Sequence, residues 1–403
     1  MLGSFIGFDR LKPRYIVCFL FCLIASGLLL VHYRSFGDPP RSDNLSILYF
    51  FHNLNSNWGW LHIMNYDPWT QVRYYPLAHL IVYWEFLLFG SCFQGYHIVH
   101  LTVYFIALIT VYRFARMLKV GRIQAVLAVA LLSFLYSHSD MLSWALHTYI
   151  LIGFIAGIVP FILCSRYFAS GSVAFLRASG VFCIISMFCY ESFALWPAAL
   201  YFFFRLRSRG EGKAPFAEKR LKPVRNTVII VYSIYAAMFF VTRIIHTYHN
   251  PVLDAGQAVN LLYLAGVAFG VLGWPLLNGI FINLFPVMAN PPRVEDEVFE
   301  MAGIFAKASD HIDIFIYAAG VLSAVVLFFL IGYIKKRTYF KDVLPAIYLV
   351  LYLYISEKFI LFFTRHMTNP LVFIMQQFRY QFISNSFLFI LLCLFYPDYG
   401  PLS

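Results

Sequence analysis

The stretch 144-WALHTYILIGFIAGIVPFILCSRYF-168 carries one formally charged side chain, Arg166, in 25 residues. At a rise of about 1.5 Å per residue, about 20 apolar residues cross a hydrocarbon core about 30 Å thick, so this stretch is long enough to span a bilayer. Working outward from it, further apolar runs lie at about 15–32, 96–117, 123–137, 171–190, 193–204, 226–246, 259–286, 312–334, 343–363 and 380–396, with an ambiguous one at 75–90. Two polar stretches, 33–73 and 287–311, interrupt them, and no internal repeat or low-complexity tract is visible.

Composition agrees with that reading. Of 403 residues, 61% are hydrophobic, 20% aromatic and only 12% charged. A soluble domain is usually about half apolar and about a quarter charged, so the solvent for this chain is lipid. The expectation is a single all-α integral membrane domain over 1–403 with about ten transmembrane helices. The net charge of +11 comes from basic residues lying between apolar runs, where it sets membrane orientation and gives no reason to expect nucleic acid. The seven cysteines show no metal spacing and mostly lie inside apolar runs, where they read as small core hydrophobes. The run 15–32 follows Arg10, Lys12 and Arg14 without a convincing cleavage site, and reads as a retained signal anchor.

Positive charge orients the spans. The three N-terminal basic residues place the N-terminus in the cytoplasm and 33–73 outside. If 75–90 also crossed the membrane, the stretch Arg205 to Arg225, with eight Lys/Arg and two Glu, would be external. If 75–90 instead lies in the outer interface, that stretch is cytoplasmic together with Arg113, Arg116, Lys119 and Arg122. The second arrangement obeys the charge rule, and Tyr74, Tyr75, Tyr83 and Trp84 suit the headgroup level. Lys335, Lys336, Arg337 and Lys341 are likewise expected inside, and Glu295, Asp296, Glu297 and Glu300 outside. That requires 259–286 to be re-entrant or broken, as Gly266, Gly270, Gly273 and Pro275 permit, within an external region 247–311. The resulting fold has an outward cavity roofed by 33–90 and 247–311.

This map brings Asp38, Asp43, His138, Asp140, Glu191, Arg365 and Arg379 to the outer ends of spans, where ionisable groups are costly unless they pair or serve a site. Each has two readings. Asp43, held near apolar and aromatic surface, can be a general base with a raised pKa or an interfacial helix cap. Asn44-Leu45-Ser46 also fits a glycosylation sequon. His138 and Asp140 can bind phosphate and orient an acceptor, or simply cap a turn. Glu191 can serve the site or snorkel to the interface. Arg379 can hold a lipid phosphate through paired donors, or anchor headgroups.

The order of these stretches resembles the GT-C superfamily of polyprenyl-phosphate-sugar-dependent glycosyltransferases. The closest branch is the transmembrane O-mannosyltransferases with tetratricopeptide tails and their bacterial relatives. The matching positions are Asp43 followed by Ile47, then Tyr74-Tyr75-Pro76-Leu77, then Phe89-Gly90 with Gly95-Tyr96-His97-Ile98-Val99-His100. They continue through His138-Ser139-Asp140 with Trp144, Cys189-Tyr190-Glu191 with Pro197, and Phe378-Arg379-Tyr380-Gln381-Phe382. The chain departs from the pattern in three places. A paired acid is reduced to Asp43, and tyrosines 75 and 190 stand where the family has Arg and Lys. No tetratricopeptide tail follows Ser403, so peptide recognition by that module is not expected.

The resemblance implies inverting transfer of a sugar from a polyprenyl-phosphate donor to a hydroxyl of a glycan, lipid or protein acceptor, on the non-cytoplasmic face. Asp43 would be the base. Arg379, with Arg365 and His138, would hold the donor phosphate, while Asp140, Glu191, Tyr96 and His97 would orient substrate. No cofactor is expected, and dependence on a divalent metal stays open. The location would be a multi-pass protein of the inner or plasma membrane if bacterial. The competing class is a non-catalytic transporter or flippase of lipid-linked glycans. Glu357 and Lys358, inside 343–363, are the residues closest to what that class would need.

Overall fold

The computed structural model describes residues 13–33, 75–135, 145–210, 214–247, 340–365 and 381–395, with single residues between them such as Phe36, Leu48, Phe51 and Val271. Among the described residues there is no strand. The helices are α1 (Pro13–His32), α2 (Pro76–Phe89), α3 (Phe93–Met117), α4 (Arg122–Ser133), α5 (Thr148–Ser170), α6 (Val173–Cys189), α7 (Trp196–Gly210), α8 (Ala214–Thr247), α9 (Phe340–Arg365) and α10 (Gln381–Phe395). Short 3-10 turns, Ala145–His147 and Glu191–Phe193, precede α5 and α7.

Four helical segments are long and apolar enough to cross a membrane: Phe93–Met117, Thr148–Ser170, Glu218–Val241 and Val343–Ile360. The remaining apolar helices are shorter, so the full set of about ten spans expected from the sequence is not reached by length and composition alone. Helix α2 has 14 residues. At about 1.5 Å per residue it is about 21 Å long, short of a hydrocarbon core about 30 Å thick. Most of 248–311, expected to be external, and most of 312–334 lie outside the described residues.

Helices α5 and α6 form the centre, and small residues let them approach closely. A Cβ on Gly153 would meet Phe193 Cε2 at 2.7 Å, and one on Gly157 would meet Trp196 Cε3 at 2.4 Å. Ser186 Oγ donates to the Gly153 carbonyl at 2.8 Å, and Ser179 Oγ to the Pro160 carbonyl at 3.4 Å. Such hydroxyl-to-carbonyl bonds satisfy polar atoms where no water is present. Helix α3 packs along α5, α8 packs on α6 and on α7, and α7 packs also on α9. Helices α9 and α10 pair together, α10 also lying on α4, where Cys393 Sγ meets the Gln124 carbonyl at 3.8 Å. Gly157→Ala is expected to force the indole of Trp196 out of place. Overpacking a filled core costs about 1–3 kcal/mol, read as a lowered unfolding temperature in detergent. An unchanged temperature would mean that Trp196 shifts freely.

Among the described residues, the basic residues of the α3–α4 connection and of the start of α8 lie at one end of the bundle. The α5 C-terminus closes on Gly171, whose φ of +79° favours glycine. There Arg220 of α8 donates to the carbonyls of Tyr167 and Phe168. A guanidinium on the last carbonyls of a helix satisfies orphan acceptors and complements the helix dipole. Arg116 does the same for the Val120 carbonyl between α3 and α4. The opposite end holds the starts of α3, α5, α7 and α10, the end of α6, and the contact of α9 with the turn Glu191–Phe193.

Candidate functional site

At that second end the structure brings together residues far apart in the chain. The α2–α3 hairpin comes first. Gly90, at φ +50°, ends α2 while its amide donates to the Phe86 carbonyl at 2.8 Å. Tyr96 then reaches back, its hydroxyl donating to the Gly90 carbonyl at 2.9 Å, with Phe89 edge-on at 5.4 Å. A side chain at Gly95 would collide with Phe89 at 2.2 Å. The Phe-Gly and Gly-Tyr-His pattern is therefore a clasp that fixes α2 against α3. Expected to orient substrate, Tyr96 is buried in that clasp. His97 is also buried, with the Phe36 ring 6.2 Å away and His32 within electrostatic reach.

The clasp sets α2 over the start of α5. His100 of α3 is buried, and its Nδ1 lies 3.1 Å from Thr148 Oγ1, the first residue of α5. Next to Thr148 stands the carboxyl of Glu85 from α2, 5% exposed, its oxygens in no hydrogen bond of good geometry among the described residues. Burial pushes the Glu85 carboxyl up to about 8, and the adjacent Thr148 hydroxyl offsets this only in part.

Beside this group stand three tyrosines. Tyr75 immediately precedes α2, Tyr149 lies in the first turn of α5, and Tyr190 follows α6. Each pair of ring centroids is 6.4 Å apart, and the Tyr75 and Tyr149 planes are parallel within 3°. His79 is 5.0 Å from Tyr75, and His147 is 5.8 Å from Tyr149. Glu191, next to Tyr190, is buried in its 3-10 turn.

A second polar group lies where α9 meets α10. Lys358 Nζ and Glu357 Oε2 pair at 3.3 Å with both side chains fully buried, and Ser384 Oγ donates to the same carboxyl oxygen at 3.4 Å. Asn385 and Ser386 are buried beside Ser384 in sequence. The two charges thus pair locally.

Of the residues singled out from the sequence, Tyr96, His97 and Glu191 are placed at this end of the bundle. Arg365 closes α9, and Arg379 falls two positions before α10. Asp43, His138, Asp140 and Arg379 lie outside the described residues. Sequence reasoning passed over Glu85, Thr148 and Tyr149, and gave His100 no role beyond its place in the motif. The usable signal was Glu85, a lone carboxylate in an apolar run. Among the described residues, no group of three or more His, Cys, Asp and Glu could hold a metal ion.

The Glu85 carboxyl makes stability depend on pH. Its value in the folded chain is above the ordinary 4.5, so the folded state binds a proton that the unfolded state releases. Stability therefore falls as pH rises from 4.5 to about 8 and levels off above that. The slope is about 1.4 kcal/mol per pH unit at most. Glu85→Gln should remove this slope. The quantity to measure is the difference between wild type and variant, which cancels the contribution of every other titrating group. A constant difference from pH 5 to 8 would show that Glu85 is ionised throughout.

The class that fold and composition define is the helical membrane proteins. No family model matches the chain, and no curated protein or solved structure shows significant similarity to it.

Proposed function

We propose that the chain is a membrane glycosyltransferase that moves a sugar from a polyprenyl-phosphate donor to an acceptor hydroxyl on the non-cytoplasmic face, with inversion. The observation that supports this most is convergence. The motif positions Tyr75, Gly95 to His100 and Tyr190-Glu191 meet at one end of the bundle, where α9 ends at Arg365 and α10 begins just after Arg379. The basic stretches lie at the opposite end, as the positive-inside rule asks of a cytoplasmic face.

In this reading the acceptor oxygen attacks the anomeric carbon from the side opposite the phosphate. Asp43 takes the acceptor proton as the new C–O bond forms. The old C–O bond breaks, and its electron pair leaves with the lipid phosphate, whose growing charge Arg379, Arg365 and His138 stabilise. Asp140, Glu191, Tyr96 and His97 orient the reactants. The transporter alternative draws on buried intramembrane charge, and Glu357 and Lys358 already neutralise one another.

The test is the purified chain in liposomes with a radiolabelled polyprenyl-phosphate sugar and a hydroxylated acceptor. Glycosylated acceptor and free polyprenyl phosphate should appear in equal amounts. Labelled donor that crosses the bilayer without any transfer would replace the enzyme by a flippase. Outside labelling of single cysteines checks orientation: position 42 should react and position 208 should not.

A further inference from the structure

The geometry points to a sugar-ring subsite around the first turn of α5, in which Tyr75, Tyr149 and Tyr190 receive the apolar face of a pyranose and Glu85 receives its hydroxyls. This rests on the glycosyl-transfer reading and adds the part of the site that holds the sugar.

Two independent observations meet here. The first is aromatic. Three tyrosine rings from three separate segments stand 6.4 Å apart pairwise, with Tyr75 and Tyr149 half-buried and Tyr190 buried. A ring face is electronegative and attracts the C–H bonds that a pyranose displays on one side. Imidazoles flank the rings, with His79 5.0 Å from Tyr75 and His147 5.8 Å from Tyr149. The second is Glu85, 5% exposed, whose carboxyl oxygens make no hydrogen bond of good geometry among the described residues, the Thr148 hydroxyl standing beside them as a weak partner. A buried polar group without a partner is rare and calls for one. Adjacent sugar hydroxyls would supply two donors, the complement of a carboxylate's two oxygens.

Glu85 and the tyrosines flank the same turn, since Thr148 and Tyr149 are consecutive. Among the described residues no guanidinium or ammonium belongs to this set, and Glu85 would repel an anion once ionised. The ligand chemistry it suits is therefore the neutral polyhydroxylated part of the donor or acceptor. In the glycosyl-transfer reading the phosphate is held by other residues, Arg365 and Arg379.

The experiment is saturation-transfer NMR on the full chain in detergent, with methyl α-mannopyranoside and methyl β-glucopyranoside as probes. In wild type, protons on one face of a bound ring should saturate more strongly than those on the other. Tyr75→Leu and Tyr149→Leu should each weaken binding about tenfold, while Tyr149→Phe, which keeps the ring, should weaken it little. At pH 9, above the value of about 8 to which burial pushes the Glu85 carboxyl, Glu85→Gln should cost about tenfold by removing a charged acceptor. Uniform saturation across the ring, or leucine variants that bind like wild type, overturns the subsite, and the first of these readings needs no variant. Donor transfer without any glycoside signal also overturns it and leaves the transfer reading standing. Glycoside binding that depends on the tyrosines, without any transfer, keeps the subsite and removes the enzyme. Absence of both removes both.

Discussion

Asp43→Asn is expected to fold, to bind a polyprenyl-phosphate sugar, and to lose about two to four orders of magnitude in transfer rate. The substitution keeps size and hydrogen bonding and removes only the basic oxygen. Asp38→Asn is the control, because it removes the same charge from the same stretch of sequence outside the matched motif. Transfer should collapse in the first variant and largely persist in the second. Near-normal transfer in both would reduce Asp43 to a helix cap and move the base to Asp140 or Glu191. Donor binding belongs in the same experiment, because a base acting in the transition state changes rate more than affinity.

The second large effect concerns the Glu357–Lys358 pair. Both side chains are fully buried, and Ser384 supplies a further hydrogen bond to the carboxylate. Lys358→Met alone would leave a buried carboxylate without its counter-ion, a change that typically costs about 3–5 kcal/mol. The expected result is a sharply lowered unfolding temperature. Adding Glu357→Leu should recover much of that loss, since two apolar side chains of similar size avoid the desolvation that the pair incurs. A double variant as unstable as Lys358→Met would show that each charge has its own partner and that the two act separately. That result would also reopen the transporter reading, which needs functional charge within the bundle.

Several features were legible without coordinates because they depend on one dimension. Apolar run length, the basic stretch from Arg205 to Arg225 and the short ambiguous run at 75–90 are read along the chain. The structure keeps 76–89 as a 14-residue helix and gathers the basic residues at one end. The motif Phe89-Gly90 with Gly95-Tyr96 was also visible, and its physical content is the hairpin closed by Tyr96 on Gly90. Helix boundaries shifted more: the run at 193–204 is in fact Trp196–Gly210, because the preceding 3-10 turn takes up Glu191 to Phe193.

What the sequence by itself determined is therefore the solvent, the helical class and the separation of basic from mixed polar ends. Hydropathy and charge act locally, and the bilayer sorts them by depth. Only the tertiary structure decided which side chains meet. Helices that are apolar on every side carry no stripe to say which face turns inward. The meeting of Tyr75 with Tyr190, 115 positions apart, and of Glu85 with Thr148 follows from close packing at Gly153 and Gly157 and from the α2–α3 clasp. Such packing depends on small residues and interhelical hydrogen bonds, whose partners lie on other helices.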